Sequence, residues 1–155
     1  MSNVEQSFQM PFTPTPRDFS GFPMPASVPK GMRLELSRSR IRPGQEETFD
    51  EWMNMLNSRP DELQESLPAE RQVFEATFRH TEADGSTWIY HLSLMGEDGR
   101  GNDESIPIDA AHVAYSKQAK EPGWEELEPR FMLAPAQLLA SMKRYAESGH
   151  DNGCA

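Results

Sequence analysis

Hydrophobic and polar residues alternate along three stretches of the chain, with the two-residue period of a half-buried β-strand. The second and third stretches flank Asp84 and Gly85, a pair typical of a tight hairpin turn. The first stretch ends at Pro43 and Gly44, which also favour a turn. The sequence therefore predicts strands in MRLELSRSR, RQVFEATFRH and STWIYHLSLMG, and a last strand in EELEPRFMLAP.

Helical spacing replaces this alternation after Gly44. Apolar residues recur there at i, i+3, i+4 and i+7, as expected of an amphipathic helix. They are Phe49, Trp52, Met53 and Leu56. Proline breaks or bends a helix, so this helix should end near Pro60, and a second helical piece should stop at Pro68. The segment AQLLASMKRYAES predicts another amphipathic helix near the C-terminus.

A further helix is predicted from residue 109 to about 120, with Asp109 as the residue that caps its N-terminus. Helical spacing places His112, Tyr115, Ser116 and Ala119 on one side of this helix. A histidine and a tyrosine therefore occupy the stripe where aliphatic residues are expected. They either close the helix end against the sheet or line a pocket beside it.

The order strand, helix, strand, strand, helix, strand is that of a ferredoxin-like fold of the α+β class. This split β-α-β arrangement has an antiparallel sheet with helices on one face. With 155 residues, the chain suits one such domain. We expect a Pro/Phe-rich arm at 1–30, the ferredoxin-like domain at 31–134, an amphipathic helix at 135–147 and a tail at 148–155.

The arm holds six prolines and four phenylalanines, with neither a strand nor a helix period. Proline fixes φ and removes a backbone donor, so the arm is predicted to be extended. Its composition is also that of a disordered tail. Its aromatic residues favour the alternative of an arm that docks on the domain or on a second subunit.

The two faces of the predicted hairpin differ in polarity. We expect the helices to cover the apolar face, so that Trp88 and Tyr90 pack under them. The apolar face carries Phe74, Ala76, Phe78, Trp88, Tyr90, Leu92 and Leu94. The mixed face carries Val73, Glu75, Thr77, Arg79, Ile89, His91, Ser93 and Met95. A mixed face of this kind suits a ligand cavity or a dimer interface better than a dry core.

The net charge of the chain indicates which kinds of partner it is not expected to bind. The balance of 15 Lys+Arg against 25 Asp+Glu gives a formal net charge of -10. A chain this acidic repels phosphate backbones and anionic lipids, so we expect neither nucleic acid nor a membrane as a partner. No stretch reaches the roughly 18 apolar residues of a membrane helix. Cys154 is the single cysteine, which excludes an intrachain disulfide and favours a cytoplasmic location.

Several reaction classes lack their signatures. The sequence has no GxGxxG, P-loop or GxSxG motif, so nucleotide hydrolysis and serine hydrolysis are not indicated. His80, His91 and His112 form no HxH or HxxxH pair, and we expect neither a metal nor a cofactor. One basic run, which a solvated edge explains and an acidic ligand would also suit, consists of Arg33, Arg38, Arg40 and Arg42.

His112 and Glu75 are the candidate catalytic residues. Imidazole has an ordinary pKa of about 6.5, and the positive helix end would keep His112 neutral and able to act as a base. A strand carboxylate that a subunit or the arm partly desolvates has a raised pKa suited to proton transfer. The alternatives are that His112 cross-links the helix start by a hydrogen bond and that Glu75 is simply exposed.

Other side chains are candidates for orienting a ligand, since aromatic walls and polar groups converge in small-molecule pockets. For His91 the alternative is a structural strand histidine, and for Trp88 it is core packing. The candidate ligand-binding residues are Tyr90, Tyr115, Trp88, His91 and Asp109.

Three stretches carry a family resemblance, namely RLELSRSRIRPGQEETFDEWMNML, VFEATFRH and IPIDAAHVAYSKQ. Over roughly residues 32–133 the chain resembles an uncharacterised bacterial family, a domain of unknown function related to the dimeric α+β barrel proteins. Its members are similar in a glutamate of the second strand, here Glu75, and an ID-x-x-H helix start, here Asp109 and His112. The resemblance implies a subunit that pairs sheet to sheet with a second copy. The wider group includes cofactor-independent monooxygenases, isomerases, cyclases and haem-binding enzymes.

Two hypotheses of different classes follow. In the first, a homodimeric protein binds a small organic molecule in a pocket on the open face of the sheet. If this protein is an enzyme, we expect cofactor-independent acid/base chemistry, as in an isomerase, a cyclase or a monooxygenase-like enzyme. In the second, the protein is a non-catalytic homodimeric interaction or sensor module, and the mixed face is only a dimer interface.

Overall fold

Four strands and four helices lie along residues 12–150, the part of the chain that the computed structural model describes. Predictions on residues 1–11 and 151–155, including those on Phe8 and Cys154, lie outside the described residues. The elements are β1 (Met32–Arg40), α1 (Glu46–Ser58), α2 (Pro60–Glu70), β2 (Gln72–Thr81), β3 (Thr87–Gly96), α3 (Pro107–Ala119), β4 (Glu125–Leu127) and α4 (Ala136–Ser148). None of these helices is long and apolar enough to cross a membrane.

The four strands form one sheet in the order β2-β3-β1-β4, with every neighbouring pair antiparallel. This is the strand order of a ferredoxin-like fold, so the predicted α+β fold class is confirmed. Residues paired across strands share a face. One such row crosses the whole sheet and consists of Ala76, Leu92, Leu36 and Leu127.

Helices α1 and α3 cover the mixed face of the sheet. Ile89 of that face is buried in a cluster with Phe49 and Trp52 of α1 and Ala119 of α3. Residues two apart in a strand share a face, so His91 lies on the same side as Ile89. The prediction that Trp88 and Tyr90 pack under the helices is therefore wrong, because these residues point to the opposite side.

The arm and α4 cover the two ends of the apolar face. At one end, a buried cluster joins the arm and α4 to the sheet, and it consists of Val28, Met32, Leu94 and Ala146. Helix α4 comes so close here that a Cβ built at Gly96 would overlap the backbone oxygen of Ala146. At the other end, the ring of Phe12 lies 5.4 Å from the fully buried ring of Trp88.

The described part of the arm is hydrogen-bonded to its own domain. Thr15 donates its backbone N–H to the carbonyl of Trp124 at 2.6 Å. Its hydroxyl accepts the backbone N–H of Glu126 at 2.8 Å, so the arm runs along the edge of the sheet beside β4. Arg33 Nη2 donates to the carbonyl oxygen of Phe22 at 3.1 Å.

The ends of three elements differ from the predicted ends, and each of these ends lies near a proline. Helix α3 begins at Pro107, since a proline in the first turn has no N–H to leave unpaired. Asp109 therefore lies inside the first turn and is not the N-cap. Helix α2 continues through Pro68, and β4 ends at Leu127, ahead of Pro129, which cannot donate to a ladder.

A bulge in β2 corrects one further detail of the predicted faces. The pairing register between β2 and β3 shifts between Gln72 and Phe74. Val73 consequently packs against the cluster around Leu94 on the apolar side, and not on the mixed face as predicted.

Candidate functional site

An open cleft of about 700 Å³ lies between the mixed face of the sheet and the C-terminal half of α3. Strand alternation turns the hydroxyl and charged residues of β1, β3 and β4 toward it. The cleft floor is formed by Glu35, Ser37, Ser39, His91, Ser93 and Glu126. Its walls are Ser116 and Lys117 of α3, Lys120 directly after α3, Arg42, the turn at 121–124, and residues 19–21 of the arm.

His91 lies on the floor of the cleft with a hydroxyl group beside each ring nitrogen. Its Nε2 is 2.9 Å from Ser93 Oγ, and its Nδ1 is 3.3 Å from Thr77 Oγ1. A hydroxyl can donate or accept, so either tautomer of the neutral imidazole keeps both contacts. Burial lowers the pKa of His91, and the charge of Lys120 lowers it further, while Glu35 opposes both. His91 is therefore neutral at pH 7 and able to accept a proton.

Glu75 lies beside His91. Its Oε2 atom is 3.8 Å from His91 Nε2. Burial, followed by the negative charge of Asp109, raises the pKa of Glu75. Its side chain remains 42 % exposed, so water still reaches the carboxylate. Within residues 12–150, no hydrogen bond or ion pair joins Glu75 to His112, the residue with which it was predicted to act.

His112 joins α3 to α1. Its Nδ1 accepts a hydrogen bond from Trp52 Nε1 at 3.0 Å. An indole N–H can only donate, so this nitrogen carries no proton and the neutral ring is protonated at Nε2. Burial, with the charges of Lys120 and His91, lowers the pKa of His112 to about 4, against the opposing effect of Asp109. This geometry fits the alternative in which His112 cross-links two helices.

Three carboxylates, those of Glu70, Glu75 and Asp109, lie close enough for their negative charges to interact. Asp109 is 4 % exposed, and its Oδ2 accepts the backbone N–H of Asp103 at 3.0 Å. Burial, together with the charges of Glu75 and Asp109, raises the pKa of Glu70 to about 7. Nothing in the sequence indicated that Glu70 interacts with these two carboxylates, because it is one of several glutamates on a polar helix.

One known protein family matches the chain over most of the domain. The model of a family of unknown function, DUF6176, matches residues 32–139. The chain belongs to this family. The expected membership in an uncharacterised domain family is thus confirmed. No curated protein and no solved structure matches the chain.

The DUF6176 match includes all the strands, the helices α1 to α3 and therefore the floor of the cleft. The arm residues 19–21, which line one wall, precede the matched range. The cleft is thus built mainly from the family domain and closed on one side by a segment outside the match.

Several predicted ligand-binding residues of the DUF6176 domain lie away from the cleft. Tyr115 packs against the buried cluster around Trp52. Trp88 and Tyr90 lie on the other side of the sheet, where the Tyr90 hydroxyl accepts a hydrogen bond from Arg38 at 3.5 Å. Asp109 belongs to the carboxylate group, so His91 is the one predicted residue that lines the cleft.

Lys120 is the cleft residue that sequence reasoning missed. Its Nζ lies 5.3 Å from the centre of the Trp52 ring, and burial lowers the pKa of its amine. Helical spacing offered a signal, since Lys120 follows Ser116 by four residues on the stripe that begins at His112. In the described ranges, no group of three or more His, Cys, Asp or Glu side chains is arranged to hold a metal ion.

Proposed function

We propose that the chain binds a small organic molecule in the cleft between the sheet and α3, and that His91 transfers a proton on that molecule. The position of His91 carries this proposal, because it places a neutral imidazole on the floor of an open cleft with a hydroxyl beside each nitrogen. A volume of about 700 Å³ is within the range of small-molecule sites. The proposed site lies under the helices and not on the open face.

The proposed step breaks a C–H bond next to a carbonyl group of the ligand. The hydroxyl that donates to the unprotonated nitrogen of His91 first rotates away. The proton of the ligand then passes to that nitrogen, and the electron pair of the C–H bond forms an enolate. The proton then returns to another atom of the ligand, which gives an isomer without an oxidant or a reductant. Ser37 and Ser116 line the same cleft and offer hydroxyl donors to the carbonyl oxygen.

Exchange of ligand protons with D₂O tests this proposal. Acetylacetone and pyruvate carry exchangeable protons next to a carbonyl group, and ¹H NMR follows their loss. We expect the protein to accelerate exchange of at least one of them, and His91→Gln to reduce that acceleration by about 100-fold. His80→Gln is the matched control, since His80 is an exposed histidine of β2. Exchange no faster than in buffer, or equal in wild type and His91→Gln, would contradict the proposal.

For the apolar sheet face, we propose a second copy of the chain as the partner. The row Ala76, Leu92, Leu36 and Leu127 crosses all four strands between the two covered ends of this face. On the edge strand β2, Phe74 is 46 % exposed and Phe78 is 57 % exposed. A twofold axis lets such an uncharged row pack against itself. The specific observation in favour is this row, which lies between the two ends of the face that described residues of the arm and α4 cover, so that a second copy could bury it further.

Sedimentation analysis tests the homodimer. We expect the wild type to sediment with twice the chain mass of 17.6 kDa. Phe78→Glu places a charge in the proposed interface and should shift the protein to the monomer. Gln118→Glu adds the same charge on the exposed surface of α3 and should leave the dimer intact. A monomeric wild type, or a Phe78→Glu variant that dimerises as well as wild type, would refute this partner.

A further inference from the structure

The geometry points to a small organic acid as the ligand of the cleft, with its carboxylate on Lys120. This inference rests on the proposed function of the cleft and names the class of ligand. It follows from which charged groups of the cleft already have partners and which do not.

The carboxylates of the cleft already have ion-pair or hydrogen-bond partners within the chain. Arg33 Nε donates a hydrogen bond to Glu35 Oε1 at 3.2 Å. Glu121 Oε2 forms an ion pair with Arg40 Nε, also at 3.2 Å, without a hydrogen bond. The third carboxylate, that of Glu126, accepts a hydrogen bond from Trp124 Nε1 at 2.7 Å. A cationic ligand would therefore have to compete with these donors.

The cations of the cleft have no such partners. Among the residues that the structure describes, no side chain forms a hydrogen bond or an ion pair with Lys120, Lys117 or Arg42. Lys120 is the most enclosed of the three, and its ammonium group lies over the Trp52 ring, 5.3 Å from the ring centre. An ammonium group removed from water without a counter-ion is costly, and an anionic ligand would supply that counter-ion.

The positions of these cations also suit the entry of an organic acid into the cleft and its orientation there. Lys117 and Arg42 are exposed, so they can attract an acid to the cleft of a chain whose formal net charge is -10. Lys120 and His91 line the same cleft, and the ammonium group is close enough to lower the pKa of the imidazole. A carboxylate on Lys120 would thus hold the neighbouring carbonyl group of an oxo acid near His91.

Matched acids and amides test the inference. We would titrate phenylpyruvate and 4-oxopentanoate, and the primary amide of each, into the protein and follow the His91 ring signals by NMR. We expect each acid to bind at least about tenfold more tightly than its amide, which corresponds to about 1.4 kcal/mol. Lys120→Met should abolish this preference while keeping the contact with Trp52. Lys120→Arg, which keeps the charge, should retain it and show that the cleft is still folded.

Lys143→Met is the control, because Lys143 is an exposed lysine of α4 and its loss should not change the preference. Equal affinity for acids and amides, or an acid preference that survives Lys120→Met, would overturn the inference but leave the proposed function standing. If none of the four compounds shifts the His91 signals, both the inference and the proposed site are overturned.

Discussion

Tyr90 and His91 are consecutive residues of β3 that lie on opposite faces of the sheet. Tyr90 is paired with Phe78 on the apolar face, and His91 is paired with Thr77 on the face that α1 and α3 cover. Helices α1 and α3 thus enclose polar side chains, while α4 and the described residues of the arm cover the two ends of the apolar face. This arrangement separates a surface suited to another protein from a cleft suited to a small molecule.

The hydrogen bond from Trp52 should control the protonation of His112. Trp52→Phe removes the donor that Nδ1 accepts, so this nitrogen becomes free to take a proton. We expect the pKa of His112 to rise from about 4 by about 0.5 to 1 unit, the equivalent of one neutral hydrogen bond. NMR titration of the histidine rings measures the pKa of His112 in both proteins. Trp124→Phe removes an indole bonded to Glu126 and should leave His112 unchanged. A wild-type pKa near 6.5 would show that the ring is not held in this way.

Glu70 should destabilise the fold at alkaline pH. Its pKa is about 7 in the folded chain, above an ordinary value of 4.5, so the stability that it contributes at low pH is lost as pH rises from 4.5 through 7. Glu70→Gln removes this charge and should stabilise the protein by about 1 to 2 kcal/mol at pH 8, because solvent screens part of the effect. At pH 4.5 the gain should vanish.

Urea unfolding of Glu70→Gln at the two pH values measures this difference. The exposed Glu65 of the same helix provides the control, and Glu65→Gln should change stability by less than about 0.5 kcal/mol at either pH. If Glu70→Gln changes the free energy of unfolding equally at pH 4.5 and pH 8, the pKa of Glu70 is not raised in the folded protein.

The close approach of α4 to the sheet depends on Gly96. A Cβ at this position would overlap the carbonyl oxygen of Ala146, so Gly96→Ala should destabilise the protein by about 1 to 3 kcal/mol. A Cβ at Gly101 meets no atom within 4 Å, so Gly101→Ala should be nearly neutral. Thermal unfolding compares the two variants. Similar stabilities would indicate that α4 does not pack tightly against Gly96.

The order of elements was predictable because each one has a local signal in the sequence. Alternation revealed β1, β2 and β3, and it also assigned His91 and Tyr90 to opposite faces. Which face the helices cover depends on contacts between distant segments. The arm and α4 lie far from β3 in the sequence, and their packing on Leu94 and Trp88 has no local signature.

The candidate site was predictable only in part. His91 and Glu75 were identified from residue type and strand face, and the structure places them 3.8 Å apart. His112 was expected to face Glu75, but the indole of Trp52, sixty residues earlier in the chain, occupies its Nδ1. Lys120 was missed because a lysine at a helix end ordinarily extends into solvent, whereas here its ammonium group lies over the Trp52 ring of α1, sixty-eight residues earlier in the chain.

The position of a ligand relative to Tyr90 and His91 distinguishes a site beneath α1 and α3 from a site on the apolar face. We would add acetylacetone and pyruvate in turn to isotope-labelled protein and record the NMR signals of both rings. We expect a saturable shift of the His91 signals with at least one compound, and no shift of the Tyr90 signals. A shift of Tyr90 with His91 unchanged would place the binding site on the apolar face and contradict a site beneath the helices.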